Sequence, residues 1–521
     1  MRTILILVFV VATGTGGEVV LTHAMKQLGE VHDFRPRAIA NFVWRAIRSG
    51  WLWISIALMA TSFFAFLTML SWYEVSFVVP VTSLAYVAGA FGAKWFLGEK
   101  LNATRWAGIA LICAGVAMAW FDTVPAPLVR LGAAGALRWA VYALAIAPLA
   151  FYAIAIFAAW RFFRVAHHAP APPRDFAPPV SILKPVHGLP DGAYENFASF
   201  CRQDYPEYEV LFAVRDAADP AVPVIRQVIA DFPQCAARLI ATTDFTGANN
   251  KVAKLARLAQ EARFDLFAIS DSDMRVEPDY LHQVAAKFRD PRVGGVTALY
   301  RGREARGMVA AMDCVGSSVA FCGAALVAAE LEGLKFMMGS TMALTRERLD
   351  EIGGFAPLLD LHSDDYELGR RIAARGYRVA LLPEPVWMAF PAMTLAEYLR
   401  HELRWFIGIR HIRPAGHLGM IFTHGLPWAV AAACLAPSPA MAAAWIAAYL
   451  IARLAMGWTV GVWGLHDPVL RRKLWLLPVR DFFAFFVWLA SFTSNRIEWG
   501  GAKFKLQEGR LVPLAAPTPR A

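Results

Sequence analysis

Eight apolar runs, each close to the ~20 residues a helix needs to cross a bilayer core, are gathered at the two ends of this chain and leave a long middle free of them. Five come first: Thr3–Thr22, Trp51–Leu70, Val75–Phe96, Ala103–Trp120 and Trp139–Trp160. Three follow the middle segment: Leu418–Leu435, Met441–Trp463 and Leu474–Phe492, the last broken by Pro478, Arg480 and Asp481 and so expected to be shorter or interfacial. Lipid offers the backbone no hydrogen-bond partner, so runs of this length predict helices. The opening Met1-Arg2-Thr3 has the form of a signal peptide. It lacks a small-residue cleavage site and leads directly into further spans, so it is read as a retained first helix.

Composition agrees. With 57% hydrophobic and 18% charged residues over 521 positions, and a mean hydropathy of +0.43, the chain is neither disordered, collagen-like nor a purely cytosolic fold. The formal charge of +10 is not organised as basic runs interleaved with aromatics, which argues against nucleic acid. Instead Lys26, Arg35, Arg37, Arg45 and Arg48, then Lys94, Lys100 and Arg105, then Arg161 and Arg164 all fall on one side if the N-terminus is outside. That puts the middle segment on the cytoplasmic face of the inner (cytoplasmic) membrane. The six cysteines (113, 201, 235, 314, 322 and 434) show no CxxC spacing and no dense framework, as expected in a reducing compartment.

The runs divide the chain. Residues 1–122 carry four spans, and 123–176 a fifth span and a Pro-rich linker through Pro170, Pro172 and Pro173 that cannot continue a helix. From 177 to 394, short β-rich segments such as Val180–Leu183, Val210–Val214, Leu266–Ser270 and Val293–Leu299 alternate with amphipathic helices, which predicts an α/β sheet domain. Residues 395–415 form an amphipathic helix. It has Leu395, Tyr398, Leu399, Leu403, Phe406 and Ile407 on one face and Arg400, His401, Arg404 and His411 on the other, a pattern suited to a membrane surface. Residues 416–495 hold the last spans, and 496–521 read as a basic, flexible tail.

Candidate chemistry concentrates in the α/β segment. The apolar strand ending in Asp271-Ser272-Asp273 places two carboxylates where both can reach a hard divalent cation, Mg2+ or Mn2+, which in turn neutralises a diphosphate. The same spacing also occurs in ordinary turns. Asp216, at the end of an earlier strand, either holds the uracil or ribose of a nucleotide or caps the next helix. The turn Gly247-Ala248-Asn249-Asn250-Lys251 offers a cation suited to a phosphate, although alone it reads no better than a surface loop. In His362-Ser363-Asp364-Asp365, paired acids at a helix start are either caps or a general base whose pKa is biased upward by its neighbour. In His401-Glu402-Leu403-Arg404-Trp405, the Arg can bind diphosphate and the Trp can wall a site.

In this order the residues resemble a family-2-like glycosyltransferase of the GT-A fold, closest to the ceramide glucosyltransferases and the bacterial enzymes that glycosylate hopanoid lipids, over about 179–506. Val180-Ser181-Ile182-Leu183-Lys184-Pro185 resembles that family's first strand. Asp216 stands at its first aspartate motif, Asp271 at its second and Asp365 at its third, the catalytic base. Arg404-Trp405 match the end of its Gln/Arg-x-x-Arg-Trp signature, with His401 where the family has Gln or Arg. The resemblance implies a multi-pass α-helical membrane protein with a cytoplasmic α/β GT-A domain, Rossmann-like with a mostly parallel sheet. It also implies inverting transfer from a UDP-sugar to a lipid hydroxyl. Asp365 would be the base, Asp271 and Asp273 the Mg2+ or Mn2+ ligands, and Asp216, Lys251, Asp271, Arg404 and Trp405 the donor contacts. A processive polysaccharide synthase and a transporter with a regulatory glycosyltransferase-like domain are the alternatives. The first four spans separately resemble the small multidrug resistance or EamA-like transporters, through Gly17-Glu18-Val19-Val20 and Leu97-Gly98-Glu99-Lys100. That implies a site at Glu18 and a homodimer through the N-terminal bundle. Glu18 is costly in lipid and so reads as functional, the alternative being a carboxylate satisfied by Thr15 or Thr22.

Overall fold

The computed structural model describes residues 2–28, 48–73, 78–79, 82–96, 133–241 and 246–514. The chain forms two compact units, 1–135 and 136–521.

In the first unit the helices Arg2–Leu28 and Gly50–Trp72 lie against one another. Small residues set their spacing: a Cβ on Gly17 would meet Met59 Cγ at 2.6 Å, and one on Gly14 would meet Ser62 Oγ at 2.9 Å. Hydroxyls lock the pair, Ser55 Oγ donating to Gly17 O and Ser62 Oγ to Val10 O, each at 2.9 Å. A third helix, Leu84–Phe96, receives Thr15 Oγ1 at Ala85 O, 3.3 Å. Glu18 is exposed on the first helix. Thr22 donates to its backbone carbonyl at 2.9 Å, so neither threonine serves the Glu18 carboxylate. The expected fourth span, Ala103–Trp120, lies outside the described residues.

The second unit is built on a seven-stranded mixed sheet in the order β3-β2-β1-β4-β8-β6-β9. Its strands are β1 (Val180–Pro185), β2 (Tyr208–Val214), β3 (Ala236–Ala241), β4 (Leu266–Ile269), β6 (Val293–Thr297), β8 (Met342–Thr345) and β9 (Arg378–Leu381), while β5 (Met274–Arg275), β7 (Tyr300–Ala305) and β10 (Val386–Phe390) form a separate three-stranded sheet in the order β5-β10-β7. In the seven-stranded sheet β8 alone runs antiparallel to its neighbours; the other pairings are parallel. β1, β4 and β8 are rich in Val, Ile, Leu, Phe and Ala and are buried over nearly their whole length, as strands covered on both faces must be. Successive strands β1, β2 and β3 step one way from β1, while β4 joins on its other side. The β1/β4 boundary is therefore a topological switch point, where ligands bind beyond the carboxyl ends of strands.

Three expectations are corrected. The segment 308–332, assigned to the α/β region, is an apolar helix with a π-turn at Gly316–Phe321. It is one of five helices among the described residues long enough to cross a membrane, with Ile6–Met25, Gly50–Trp72, Leu137–Ala166 and Pro439–Gly464. Between Met308 and Glu330 its one charged residue is Asp313, which is buried and turned toward the protein.

The run 418–435 does not form a full span, whereas 474–492 is short, as its Pro478, Arg480 and Asp481 predict. The first is split into the helices Pro414–Gly419 and Gly425–Cys434, and the second is the short helix Leu477–Ala490. Tyr152 satisfies the break in the first, donating to Thr423 O and accepting from Gly425 N, both at 3.1 Å. In the second, the polar residues turn inward. Asp481 takes a two-pronged contact from Arg453 at 2.7 and 2.8 Å and the Tyr449 hydroxyl at 2.9 Å, and Arg480 pairs with Glu402 at 3.0 Å.

The described part of the segment read as a flexible tail is folded. β11 (Arg496–Trp499), β12 (Ala502–Gln507) and β13 (Arg510–Pro513) form an antiparallel meander whose Ile497, Phe504, Leu506 and Leu511 pack on Ile407.

Candidate active site

Three adjacent strand ends hold the candidate residues. Lys184 lies near the end of β1, Asp216 follows β2, and Asp271 and Asp273 follow β4. Lys184 is fully buried against the Phe200 ring, its Nζ 3.9 Å from the ring centre, and donates to the Asp271 carbonyl at 2.5 Å. Burial pushes this amine down to about 7, against the pull of Asp273 and Asp271. It fixes the backbone on which the two acids sit, and sequence reading placed it in a strand without assigning it a role.

Lys251 reaches the same place from another element. Asn249 caps the helix Asn250–Glu261, its Oδ1 accepting from Lys251 N and Val252 N at 3.0 and 3.1 Å. The preceding turn is no free surface loop. Ala248 N donates to Asp360 Oδ1 at 3.0 Å, Asn249 N to Leu359 O at 2.7 Å, and Asn249 Nδ2 to Leu361 O at 2.7 Å. Gly247 is required there: its φ is +92° and a Cβ would sit 2.7 Å from Leu359 Cβ. Thus seated, Lys251 Nζ lies 2.7 Å from Asp271 Oδ1 and 3.3 Å from Asp364 Oδ2. Burial alone would lower its pKa, but the charges of Asp271, Asp364 and Asp365 outweigh it and hold the ammonium well above the ordinary lysine range.

Asp365 follows Asp364 in the first turn of the helix Asp364–Ala374 and feels the charges of Lys251 and Asp271. Its Oδ1 accepts from Tyr366 N at 2.7 Å and its Oδ2 from Gly339 N at 3.1 Å. Loss of solvent and then the Asp364 charge push its carboxyl up to about 6, with Lys251 pulling the other way. The adjacent-acid effect expected from the sequence is therefore present, with burial as the larger cause. Asp273 is also raised to about 6, by burial and then by Asp271.

Gly339 joins the two halves. Its N–H binds Asp365, and its carbonyl accepts from Asp271 N at 3.0 Å. A Cβ there would lie 2.3 Å from Asp271 Oδ2 and 3.1 Å from Lys251 Nζ. Nothing in its local sequence, Met337-Met338-Gly339-Ser340, marks the role, which arises from residues far apart in the chain.

Asp216 is exposed and accepts the Ala218 N–H at 2.9 Å, as an acid ending a strand commonly does. It stands on the same edge as the cluster but is not joined to it by a hydrogen bond or ion pair among the described residues. Arg404 and Trp405 approach from the helix Leu395–Ile412, whose Thr394–Glu397 capping box fixes its start. Its polar face turns partly into the protein rather than outward. Arg404 is half-buried, drawn down to about 10 by burial against the charge of Asp313, and has no ion pair among the described residues. The Trp405 ring meets Phe321 edge-on at 5.9 Å, and Phe321 stacks on Tyr300 at 5.6 Å. Tyr300 feels the charges of both Asp313 and Asp365 and, through burial first, has its hydroxyl raised well above the ordinary tyrosine range.

No group of three His, Cys, Asp or Glu side chains converges among the described residues. A hard divalent cation can be held by one or two carboxylates with the remaining positions filled by diphosphate and water. Asp271 and Asp273, two residues apart beyond the end of β4, are hard oxygen donors of the kind such a cation takes.

Residues 140–512 match the family described as glycosyl transferase family 21. Among curated proteins, the chain is 27% identical over 229 residues to ceramide glucosyltransferase 3 of Caenorhabditis elegans, covering 44% of this chain and 50% of that one. It is 35% identical over 147 residues to the ceramide glucosyltransferase of Gibberella zeae, covering 25% and 28%. The chain thus spans about half the length, or less, of these relatives. Among solved structures, the mannosyltransferase PcManGT from Pyrobaculum calidifontis, in complex with GDP-Man and Mn2+, aligns over 67% of this chain and 99% of its own, with 21% identity and a TM-score of 0.39.

Proposed function

The chain belongs to glycosyl transferase family 21, and from that membership we propose that it transfers a sugar from a UDP-sugar to the hydroxyl of a membrane lipid, ceramide-like or hopanoid-like, with inversion at the anomeric carbon. The observation that carries the reading is the convergence of Lys251, Asp271, Asp364 and Asp365 at the β1/β4 switch point.

In this reading Asp365 takes the proton from the lipid hydroxyl. A carboxylate raised to about 6 is a stronger base than an ordinary one and is still ionised at neutral pH. Its two oxygens are oriented by the Gly339 and Tyr366 N–H groups, which hold it at a fixed position. Lys251 and Arg404 supply positive charge toward the departing diphosphate, and Asp271 with Asp273 would hold Mg2+ or Mn2+. When bound, the cation neutralises charge developing on the leaving group. Asp216 would contact the nucleoside. The apolar helices at 137–166, 308–332 and 439–464 belong to the same unit as the site and support a membrane-borne acceptor. The distribution of Lys and Arg supports a cytoplasmic catalytic face at the inner membrane.

The N-terminal helices, with Glu18 exposed, would pair into a homodimer and bind the polar headgroup of a lipid. Deletion of 1–125 should then change the sidedness or yield of product. The enzymatic reading is tested by incubating purified protein with Mn2+, ceramide or a hopanoid polyol, and UDP-glucose, UDP-galactose, UDP-N-acetylglucosamine or UDP-glucuronic acid. A monoglycosylated lipid whose proton coupling reports an inverted anomeric centre is expected. Long polymer, or a retained configuration, contradicts the reading.

A further inference from the structure

Trp405 and His401 of the helix Leu395–Ile412 and Asp313 of the apolar stretch Met308–Glu332 form a chain of side chains between two elements. Trp405 Nε1–H donates to His401 Nε2 at 2.9 Å. An indole nitrogen can only donate, so Nε2 must present its lone pair, and the neutral ring then carries its single proton on Nδ1. Nδ1 faces Asp313 Oδ2 at 3.6 Å, a distance for electrostatic attraction rather than a full hydrogen bond. Asp313 is 4% exposed and is the one carboxylate of the apolar stretch before Glu330, where an acid without a partner is costly.

Trp405 is 38% exposed, so the rest of the ring is only partly held by packing. What the bond supplies is orientation. Turning the indole over would lose it, along with the edge-on contact to Phe321 of the same apolar stretch.

We propose that His401, backed by Asp313, is a positioning residue that fixes the Trp405 indole against Phe321 as a wall of the path by which the lipid acceptor reaches Asp365. This rests on the transferase reading above. The wall runs from Trp405 through Phe321 of the apolar helix to Tyr300, a residue that feels the charge of Asp365. The donor-side groups Lys251 and Asp271 are not part of it. The chemistry required at position 401 is one acceptor toward the indole and one donor toward Asp313. A glutamine amide supplies both, whereas leucine supplies neither.

The test uses the full-length protein in detergent with Mn2+, UDP-glucose and short-chain ceramide, varying each substrate in turn. For His401→Leu, the KM for ceramide should rise by about fivefold to tenfold, the effect of one hydrogen bond, with the KM for UDP-glucose unchanged. His401→Gln should restore it. Trp405→Phe, which keeps a ring but has no N–H, should show the same rise, and the double variant should be no worse than either single one. Wild-type ceramide KM in His401→Leu, failure of Gln to rescue, or multiplicative loss in the double variant each overturns the positioning role. A wild-type protein that turns over no UDP-sugar instead overturns the transferase reading, and the role with it.

Discussion

At the scale of single residues, the account depends on Asp365 being the base and Gly339 being the joint between it and Asp271. The sign of the pH effect follows from the first. Asp365 must be ionised to accept a proton and is raised to about 6, so turnover should be flat above that pH and fall about tenfold per unit below it. A pH profile of kcat at saturating metal checks this. A profile flat down to pH 4 would remove Asp365 from the chemistry. Gly339→Ala places a methyl 2.3 Å from Asp271 Oδ2 and should lower kcat/KM by on the order of 10²-fold, the effect of displacing a reacting group by about an ångström. Asp271, Asp273 and Asp365 stand out in the sequence because a strand ending in acids and a helix beginning with acids have local signatures, whereas the turn that carries Lys251 alone reads no better than a surface loop. Lys184 and Gly339 do not stand out. Their roles lie in contacts between segments distant along the chain, and neither a lysine in a strand nor a glycine in a turn advertises them.

At the scale of elements, the C-terminal meander is the part the sequence misled on. Its Lys503, Lys505 and Arg510 suggested a solvated tail. The alternation that places Phe504 and Leu506 inward and the lysines outward is nevertheless the period-two pattern of a strand. The meander braces the loop before the candidate base: Leu511 N donates to Asp360 O at 2.7 Å, and His362 N donates to Gly509 O at 3.0 Å. Leu511→Ala should cost about 2 to 4 kcal/mol locally. It should speed amide exchange at residues 360–363 while leaving exchange in β1 and β4 unchanged; unaltered exchange in the loop would show that the meander does not hold it. The helix at 308–332 escaped notice for the converse reason. It lies between β-rich segments, and one buried acid, Asp313, interrupts an otherwise apolar stretch.

At the scale of the molecule, two helices at the C-terminal end of the second unit, Pro439–Gly457 and Leu477–Ala490, are tied by polar residues inside an apolar surround. Arg453 and Asp481 are 3% and 7% exposed and fully engaged with each other, with Tyr449 adding a third bond. Removing one partner strands the other, so Asp481→Asn should destabilise the unit by roughly 3 to 5 kcal/mol in detergent thermal unfolding. Replacing the pair together, Arg453→Met with Asp481→Leu, should recover most of that; equal loss in both variants would contradict a pairing role. The gathering of apolar runs at the two ends around a β-rich middle was readable in the sequence, whereas the apolar helix at 308–332 within that middle and the break of 418–435 into two helices were not, because run length alone reveals neither. The most direct test of the whole account is UDP release by the purified protein with Mn2+ and a panel of UDP-sugars, with and without ceramide or hopanoid acceptor, beside Asp365→Asn. The account predicts release that depends on the lipid and falls by about 10² to 10⁴-fold in the variant. Lipid-dependent release that survives Asp365→Asn, or no release with any donor from folded protein, would contradict it.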